Sequence, residues 1–411
     1  MSVNKTLMKK YAELTVRVGA NVQKGQNVVV VSNVLTHEFC EMVVKECYKA
    51  KASIVNVEWN DDLISNYTYK NAKLDELTTV KNWVIEKYKD KLNTLPAMIY
   101  IDGDDPDALK GIDPKRIAKV RKETGKVIRP IRKEMENKYQ WTIIGCPTLK
   151  WAKKVYPELS VNQAYNKLWE AVLRTARCDL NAVENWKNHN EYLLDKCNKL
   201  NNLNIKTLEY KASNGTNFTI DLIKGVIFTA GISNTLSGIK YNPNMPTEEC
   251  FTTPNKYSCN GTVYANKPLS LNGNVLTDFG FRFENGKVVE VLSKDDNTKK
   301  LLEETINIDE GASRLGEVAL VPYDSPVNKE NILFYNTLFD ENACCHLALG
   351  MGFEDCIQGF ESMTREEIEK FDLNDSMIHV DFMIGTNDLS IVAILDSGEK
   401  VQIFKDGIWN I

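Results

Sequence analysis

The stretch Asn27-Val28-Val29-Val30-Val31-Ser32 decides the fold of the first half of the chain. A short, continuous run of β-branched apolar residues is typical of a strand that is buried on both faces, as strands are in parallel sheets. Apolar residues at helical spacing in residues 4–18, ended by Gly19, predict a helix before this strand. A second helix is predicted over residues 36–50, so the stretch is the first strand of an α/β arrangement.

The same alternation of strand and helix continues to residue 146. The further predicted elements are strands at residues 53–59, 97–101 and 141–146 and helices at residues 73–92 and 114–137. Parallel strands joined by crossover helices produce this order, so we expect an α/β N-terminal domain with a mainly parallel sheet. No GxGxxG motif follows the first strand and no GxxxxGK(S/T) motif occurs, which leaves a nucleotide-binding role without support.

The chain changes character after a helical stretch over residues 161–203. Short β-like segments rich in Gly, Asn and Thr follow, at residues 205–210, 218–223 and 225–229. Turn pairs recur at Asn272-Gly273, Asn285-Gly286, Ser397-Gly398 and Asp406-Gly407. We therefore predict an α/β domain that ends in a helical connector at residues 1–204, and a mainly β (α+β) C-terminal domain at residues 205–411.

The composition is that of an ordinary globular protein, with 411 residues, 43% hydrophobic residues and 26% charged residues. A formal net charge of −5, with basic and acidic residues interleaved, gives no basic field, so neither nucleic acid nor a membrane is an expected partner. The first residues lack the apolar core of a signal peptide, which favours a cytoplasmic location. The ten cysteines form no CxxC pair, and reduced, buried thiols are expected.

Two of the four histidines in the chain, His346 and His379, lie among carboxylates near the C-terminus. Asp340 and Glu341 precede His346 closely, and Asp381 follows His379 at a spacing of two residues. On a strand, that spacing places both side chains on one face. Histidine nitrogen and carboxylate oxygen together suit Zn, Co or Mn.

Two further acidic motifs lie upstream of these histidines. Glu317 stands at the head of an apolar run, where a carboxylate is costly to bury unless it is paired or binds a metal. Glu249 follows a proline turn, with the adjacent Glu248 as its competitor. The four motifs together supply enough candidate ligands for two divalent cations. These candidate ligands are Glu249, Glu317, Glu341, His346, His379 and Asp381. Two such cations imply hydrolysis by an activated water.

Five stretches in the second half carry a resemblance to a known family. They are NMPTEECFTTP (244–254), GTVYANKPLS (261–270), GASRLGEVALV (311–321), TLFDENACCHLALG (337–350) and HVDFMIGTNDLSI (379–391). A looser match, CPTLKWAKKVYP, covers residues 146–157. The chain resembles the metallo-aminopeptidases of the aminopeptidase T and aminopeptidase S type over essentially its full length. The resemblance implies a homodimeric exopeptidase with two divalent cations (Zn, Co or Mn) that removes N-terminal residues from short peptides with a free N-terminus.

Carried over position by position, the resemblance implies the same six ligands, with Glu317 as the bridge. If Glu341 is not a ligand, it is a candidate for shuttling a proton to the leaving amine. The family usually has a tyrosine seven residues after the histidine of the fourth stretch, but this chain has Phe353. Losing one hydroxyl donor costs a few kcal/mol of transition-state stabilisation. Tyr335 is a candidate replacement for that donor.

Three other interpretations of these residues stay open. Cys344 and Cys345 offer thiol nucleophiles, although their small apolar neighbours favour packing beside the site. The same cation set would act on an amidated small molecule or on a phosphoester, and the lack of an Arg or Lys cluster around the motifs disfavours the phosphoester. The third interpretation is a peptide-binding relative with weakened catalysis, which Phe353 suggests.

Overall fold

The computed structural model describes residues 3–271 and 273–411, and Asn272 of the predicted turn lies outside them. The chain divides into two compact units. The first runs to Asn188 and includes Ile232–Pro246, and the second comprises His189–Gly231 and Thr247–Ile411. The predicted domains, 1–204 and 205–411, follow the change of secondary structure. The compact units differ from these predicted domains because the units are defined by which residues pack together.

The α-helices of the described residues are distributed over both units. They are α1 (Lys5–Leu14), α2 (His37–Lys49), α3 (Asp62–Asn71), α4 (Leu74–Thr78), α5 (Asn82–Thr94), α6 (Pro114–Met135), α7 (Leu149–Val155), α8 (Val161–Thr175), α9 (Ala182–Asn202), α10 (Asp296–Ile306), α11 (Pro326–Lys329), α12 (Thr337–Asp340) and α13 (Arg365–Ile368). No helix among the described residues is long and apolar enough to cross a membrane.

Most strands belong to the second half of the chain. The strands are β1 (Asn27–Asn33), β2 (Ile54–Asn60), β3 (Ala97–Asp102), β4 (Trp141–Gly145), β5 (Ile205–Lys211), β6 (Asn217–Asp221), β7 (Thr229–Ala230), β8 (Ser233–Asn234), β9 (Lys240–Tyr241), β10 (Asn244–Met245), β11 (Cys250–Thr252), β12 (Asn260–Tyr264), β13 (Leu269–Leu271), β14 (Asn274–Leu276), β15 (Phe279–Glu284), β16 (Lys287–Ser293), β17 (Leu315–Leu320), β18 (His346–Gly350), β19 (His379–Met383), β20 (Ser390–Leu395), β21 (Lys400–Lys405) and β22 (Ile408–Trp409).

The first unit is built on a parallel sheet with the strand order β10-β4-β3-β1-β2. Every pair in it is parallel, and the apolar run of β1 is largely buried, as its sequence predicts. The predicted helix over residues 73–92 is two helices, α4 and α5. Residues 79–81 separate them; Thr79 and Val80 are β-branched, and Thr79 is extended. Helix α3 was not predicted, and none of its residues is buried.

The second unit contains two large antiparallel sheets. One has the order β19-β18-β17-β11-β7, and the other has the order β16-β15-β12-β6-β5-β20-β21-β22. Their apolar side chains share one core, in which the rings of Phe281 and Phe382 pack edge to face with centroids 5.1 Å apart. The predicted fold class, a parallel-sheet α/β part followed by a mainly β part, is confirmed. All ten cysteines are unpaired and buried, as expected.

Candidate metal centre

Three adjacent strands of the five-stranded sheet carry four of the predicted ligands. In the register of β17, β18 and β19, Ala348 lies opposite Glu317 on one side and opposite Asp381 on the other. Directly opposed residues, and residues two apart along a strand, point to the same face of a sheet. His346 precedes Ala348 by two residues and His379 precedes Asp381 by two, so all four predicted ligands share one face.

Glu249 reaches the same face from the neighbouring strand. In β11, Phe251 lies opposite Ala319, which is two residues beyond Glu317 on β17. Glu249 precedes Phe251 by two residues and continues the same alternation. Five of the six predicted ligands therefore converge on one face, although Glu249 and Asp381 are far apart in the sequence.

The side chains on this face form two groups that share Glu317. One group is Glu249, Glu317 and His346, and the other is Glu317, His379 and Asp381; in each, three ligand atoms lie within 4.8 Å of one another. The His346 Nε2 atom is 3.3 Å from Glu249 Oε2. The His379 Nε2 atom is 3.1 Å from Glu317 Oε2 and 3.2 Å from Asp381 Oδ1. One carboxylate thus lies between two potential cation sites.

The surrounding carboxylates raise the pKa of both histidines. Burial lowers the pKa of His346, but its hydrogen bond and charge interaction with Glu249 outweigh burial and raise that pKa to about 10. Burial also lowers the pKa of His379, whereas Asp381 and Glu317 together raise it well above its ordinary value. Without cations, the neighbouring carboxylates therefore favour the protonated form of both histidines.

The carboxylates of the centre form few hydrogen bonds and ion pairs. Burial raises the pKa of Glu317, and the pKa of Asp381 is lowered because His379 outweighs burial. The buried His346 Nδ1 atom has no hydrogen-bond partner among the described residues, and the buried Asp381 Oδ1 atom has only its ion pair with His379 there. In the same part of the chain, only histidines pair with these carboxylates. Oxygen and imidazole donors without a Lys or Arg counter-charge fit divalent cations such as Zn, Co and Mn.

Glu341, the sixth predicted ligand, belongs to neither group of the described residues. It is the first residue of a short 3-10 helix, Glu341–Ala343. Burial raises its pKa well above the ordinary value, and the nearby carboxylates of Asp381 and Glu249 raise it further. Its carboxylate is thus close enough to interact with the centre electrostatically. The sequence left Glu341 as a ligand or a proton shuttle, and both roles remain predictions.

The adjacent Glu248 side chain faces a different neighbour from Glu249. Its Oε2 atom is 3.8 Å from Nε2 of His189, and both side chains are buried. The same His189 nitrogen lies 2.7 Å from the carbonyl oxygen of Thr247 and donates to it in the matching tautomer. Sequence reasoning missed His189, although it is one of only four histidines in the chain.

Asp340 shapes the loop before the centre. Its carboxylate accepts the backbone N–H groups of Phe334, at 2.8 Å, and of Asn336, at 3.0 Å. Burial raises the pKa of Asp340 to about 7, and these N–H groups oppose that rise. Asp340 lies in the sequence motif, yet it belongs to neither group of potential ligands.

Known proteins similar to this chain are metalloproteases and aminopeptidases. Residues 4–409 match the thermophilic metalloprotease (M29) family. The chain belongs to this family. It is similar to Aminopeptidase AmpS of Bacillus subtilis (strain 168), with 41% identity over 401 residues and 97% of each chain covered. Aminopeptidase 2 of Geobacillus stearothermophilus is 39% identical over 402 residues, again with 97% of each chain covered.

A solved structure shares the fold of the whole chain. The wild-type AmpT from Thermus thermophilus superimposes with a TM-score of 0.90 and 31% sequence identity, covering 99% of this chain and 100% of that one. Both parts of the predicted fold class therefore have a counterpart in this structure. Membership of the M29 family makes the chain a metal-dependent peptidase.

Phe353 occupies the position at which the family resemblance implies a tyrosine. Its ring centroid lies 5.0 Å from that of His379 and 5.4 Å from that of Phe251. A ring that contacts a predicted ligand is well placed to influence chemistry at the centre, but phenylalanine offers no hydroxyl there. The backbone of Tyr335 has a positive φ of 57° and hydrogen-bonds to Asp340. A catalytic part for its hydroxyl stays a prediction.

Replacing Cys344 with Ala is expected to leave peptide hydrolysis largely unchanged in this M29 peptidase. The thiol is buried, and burial raises its pKa to about 12, so little thiolate is present at neutral pH. The measurement is kcat/KM for one peptide before and after the substitution, with iodoacetamide treatment of the wild type beside it. A loss as large as that of His379→Ala would restore the thiol-nucleophile interpretation.

Proposed function

We propose that this M29 peptidase is an aminopeptidase that binds two divalent cations and releases N-terminal residues from short peptides. The observation that carries the proposal is the position of Glu317, which belongs to both groups of potential ligands. A carboxylate shared in this way is the usual bridge of a two-cation hydrolase. The names of the relatives support the choice of an exopeptidase acting at free N-termini.

The proposed ligand set assigns one side of the bridge to each cation. Glu249 and His346 hold the first cation with Glu317, and His379 and Asp381 hold the second. Glu341 completes the set of six. Zn, Co and Mn are the proposed cations because the donors are nitrogen and oxygen atoms without thiolate.

The residues of the chain orient the reaction around these cations. Bound there, the cations would lower the pKa of an attacking water and polarise the scissile carbonyl. His379 Nδ1 lies 2.8 Å from the carbonyl oxygen of Met351, a contact that fixes the ring with Nε2 facing the centre. If Glu341 is not a ligand, its carboxyl group carries a proton to the leaving amine. A carboxylate of the site also neutralises the α-amine of the substrate.

The decisive assay is release of the N-terminal residue from free and N-acetylated versions of the same short peptides. Apo-protein restored with Zn, Co or Mn is expected to trim only the free peptides, and both a chelator and His379→Ala should stop the release. If cations bind and no free peptide is trimmed, the substrate class is wrong. Activity on N-acetylated peptides or on amidated small molecules would favour another two-cation hydrolase.

A catalytically weakened peptide-binding relative is the second candidate. Phe353 favours it, because a hydroxyl donor is missing beside His379. In that case the cation-loaded protein would bind free-amine peptides, measured by calorimetry, without releasing a residue.

The oligomeric state and location belong to the same proposal. We expect a homodimer, as the family resemblance implies, and sedimentation in solution tests it. Ten unpaired thiols suit a reducing compartment such as the cytoplasm. Neither nucleic acid nor a membrane is proposed as a partner.

A further inference from the structure

A single buried asparagine links two segments that carry proposed ligands. Asn342 is fully buried, with 0% of its surface exposed. Its Oδ1 atom accepts the backbone N–H of Glu248 at 2.7 Å, across a separation of 94 residues. Its Nδ2 atom donates to the Leu338 carbonyl at 3.0 Å and contacts Oε1 of Glu341 at 3.5 Å.

The Glu248 N–H needs this partner because no strand supplies one. Strand β11 begins at Cys250, so the residues just before it have no place in the sheet ladder. A buried backbone N–H without an acceptor would cost about as much as a lost hydrogen bond. The bond to Asn342 therefore fixes the backbone at the residue immediately before Glu249.

The same side chain acts on the other segment through its amide nitrogen. Asn342 lies in the 3-10 turn that Glu341 begins, and its bond to Leu338 ties this turn to helix α12. A carboxamide combines an acceptor with two donors, so it serves the Glu248 N–H and the Glu341 carboxylate together. A carboxylate of equal size would keep only the acceptor.

We propose that Asn342 is a positioning residue that holds Glu249, a proposed ligand of the first cation, in register with Glu341. The proposal rests on the ligand set of the proposed function and adds to it the group that aligns two of those ligands. It predicts the stronger effect on the cation held by Glu249. None of Glu317, His379 and Asp381 forms a hydrogen bond with Asn342 among the described residues.

The test is calorimetric titration of apo-protein with Zn²⁺ against a competing chelator. Asn342→Ala is expected to lower the affinity for one of the two cations by about 10- to 100-fold, the usual effect of losing a group that orients a ligand. The affinity for the other cation should change much less. Asn342→Asp keeps the acceptor for the Glu248 N–H but loses the donor beside the Glu341 carboxylate, so it should regain only part of that affinity.

Asn201→Ala is the matched control. The Asn201 amide also bridges to distant backbone, donating to the Phe228 carbonyl at 3.0 Å and accepting the Phe228 N–H at 2.7 Å, but it touches no proposed ligand. It should lower the melting temperature and leave both cation affinities unchanged. A purely structural Asn342 would give this same result, which would overturn the positioning role.

The remaining outcomes also decide the question. If wild-type protein binds no cation, the proposed function fails, whatever Asn342 does. If wild type binds two and Asn342→Ala binds both with wild-type affinity, only the positioning role fails. If neither Asn342 variant folds while Asn201→Ala does, Asn342 supports the fold as a whole, and the positioning role is again wrong.

Discussion

Replacing Glu317 with Gln is expected to remove one of the two cations and to abolish most peptide hydrolysis. An amide presents one weakly basic oxygen, whereas the carboxylate presents two and carries the charge that both groups share. The fall in kcat should exceed the roughly 10- to 100-fold loss caused by removing a side chain that only orients a ligand. The measurements are cation content by elemental analysis and kcat for a free-amine peptide.

Two further substitutions make the Glu317 result specific. Glu209→Gln, on strand β5, removes a carboxylate that pairs with Lys400. It should change neither the cation content nor kcat. Glu249→Gln should lose the first cation, whereas Glu248→Gln should keep both, because the Glu248 carboxylate faces His189. Full activity and two cations in Glu317→Gln would refute the bridge.

Replacing Phe353 with Tyr is expected to raise kcat, by up to about 100-fold, with little change in KM. The Phe353 ring already contacts His379. The added hydroxyl would donate a hydrogen bond that strengthens as negative charge develops on the carbonyl oxygen of the substrate. Steady-state kinetics with one free-amine peptide and saturating cation measure the effect. An unchanged or lower kcat would mean that another group already donates this hydrogen bond.

Tyr335→Phe identifies whether that other group is Tyr335. If the Tyr335 hydroxyl is the donor, the substitution should lower kcat in the wild type and have a smaller effect in the Phe353→Tyr background. Unchanged turnover in both backgrounds would remove Tyr335 from the mechanism. The two substitutions together form a double-mutant cycle that measures their coupling.

The candidate ligands could be proposed from the sequence because metal chemistry restricts residue types more strongly than packing does. Scarce histidines, a carboxylate at the head of an apolar strand and the two-residue spacing of His379 and Asp381 each indicate a cation site. Spacing along one segment does not determine which segments meet. That information lies in the register of β17, β18 and β19, where Ala348 separates Glu317 from Asp381.

The missed features depend on contacts between distant residues. His189 and Asn342 bond to the backbone just before Glu249, and no local pattern in the sequence reveals this. Asp340 was counted with the chemical motif because it is acidic, but it holds the loop by accepting backbone N–H groups. Periodicity identified strands β1 to β4 of the parallel sheet but not its fifth strand, the two-residue β10. Helix α3 was missed because it buries no residue.

The most direct test of the two-cation account is an anomalous difference map of crystals soaked with Zn²⁺, measured at the zinc edge. The account predicts two peaks about 3.5–4 Å apart on either side of Glu317, the usual spacing of a two-metal site. Glu249 and His346 should adjoin one peak, and His379 and Asp381 the other. A single peak, or peaks that do not share Glu317, would contradict the account.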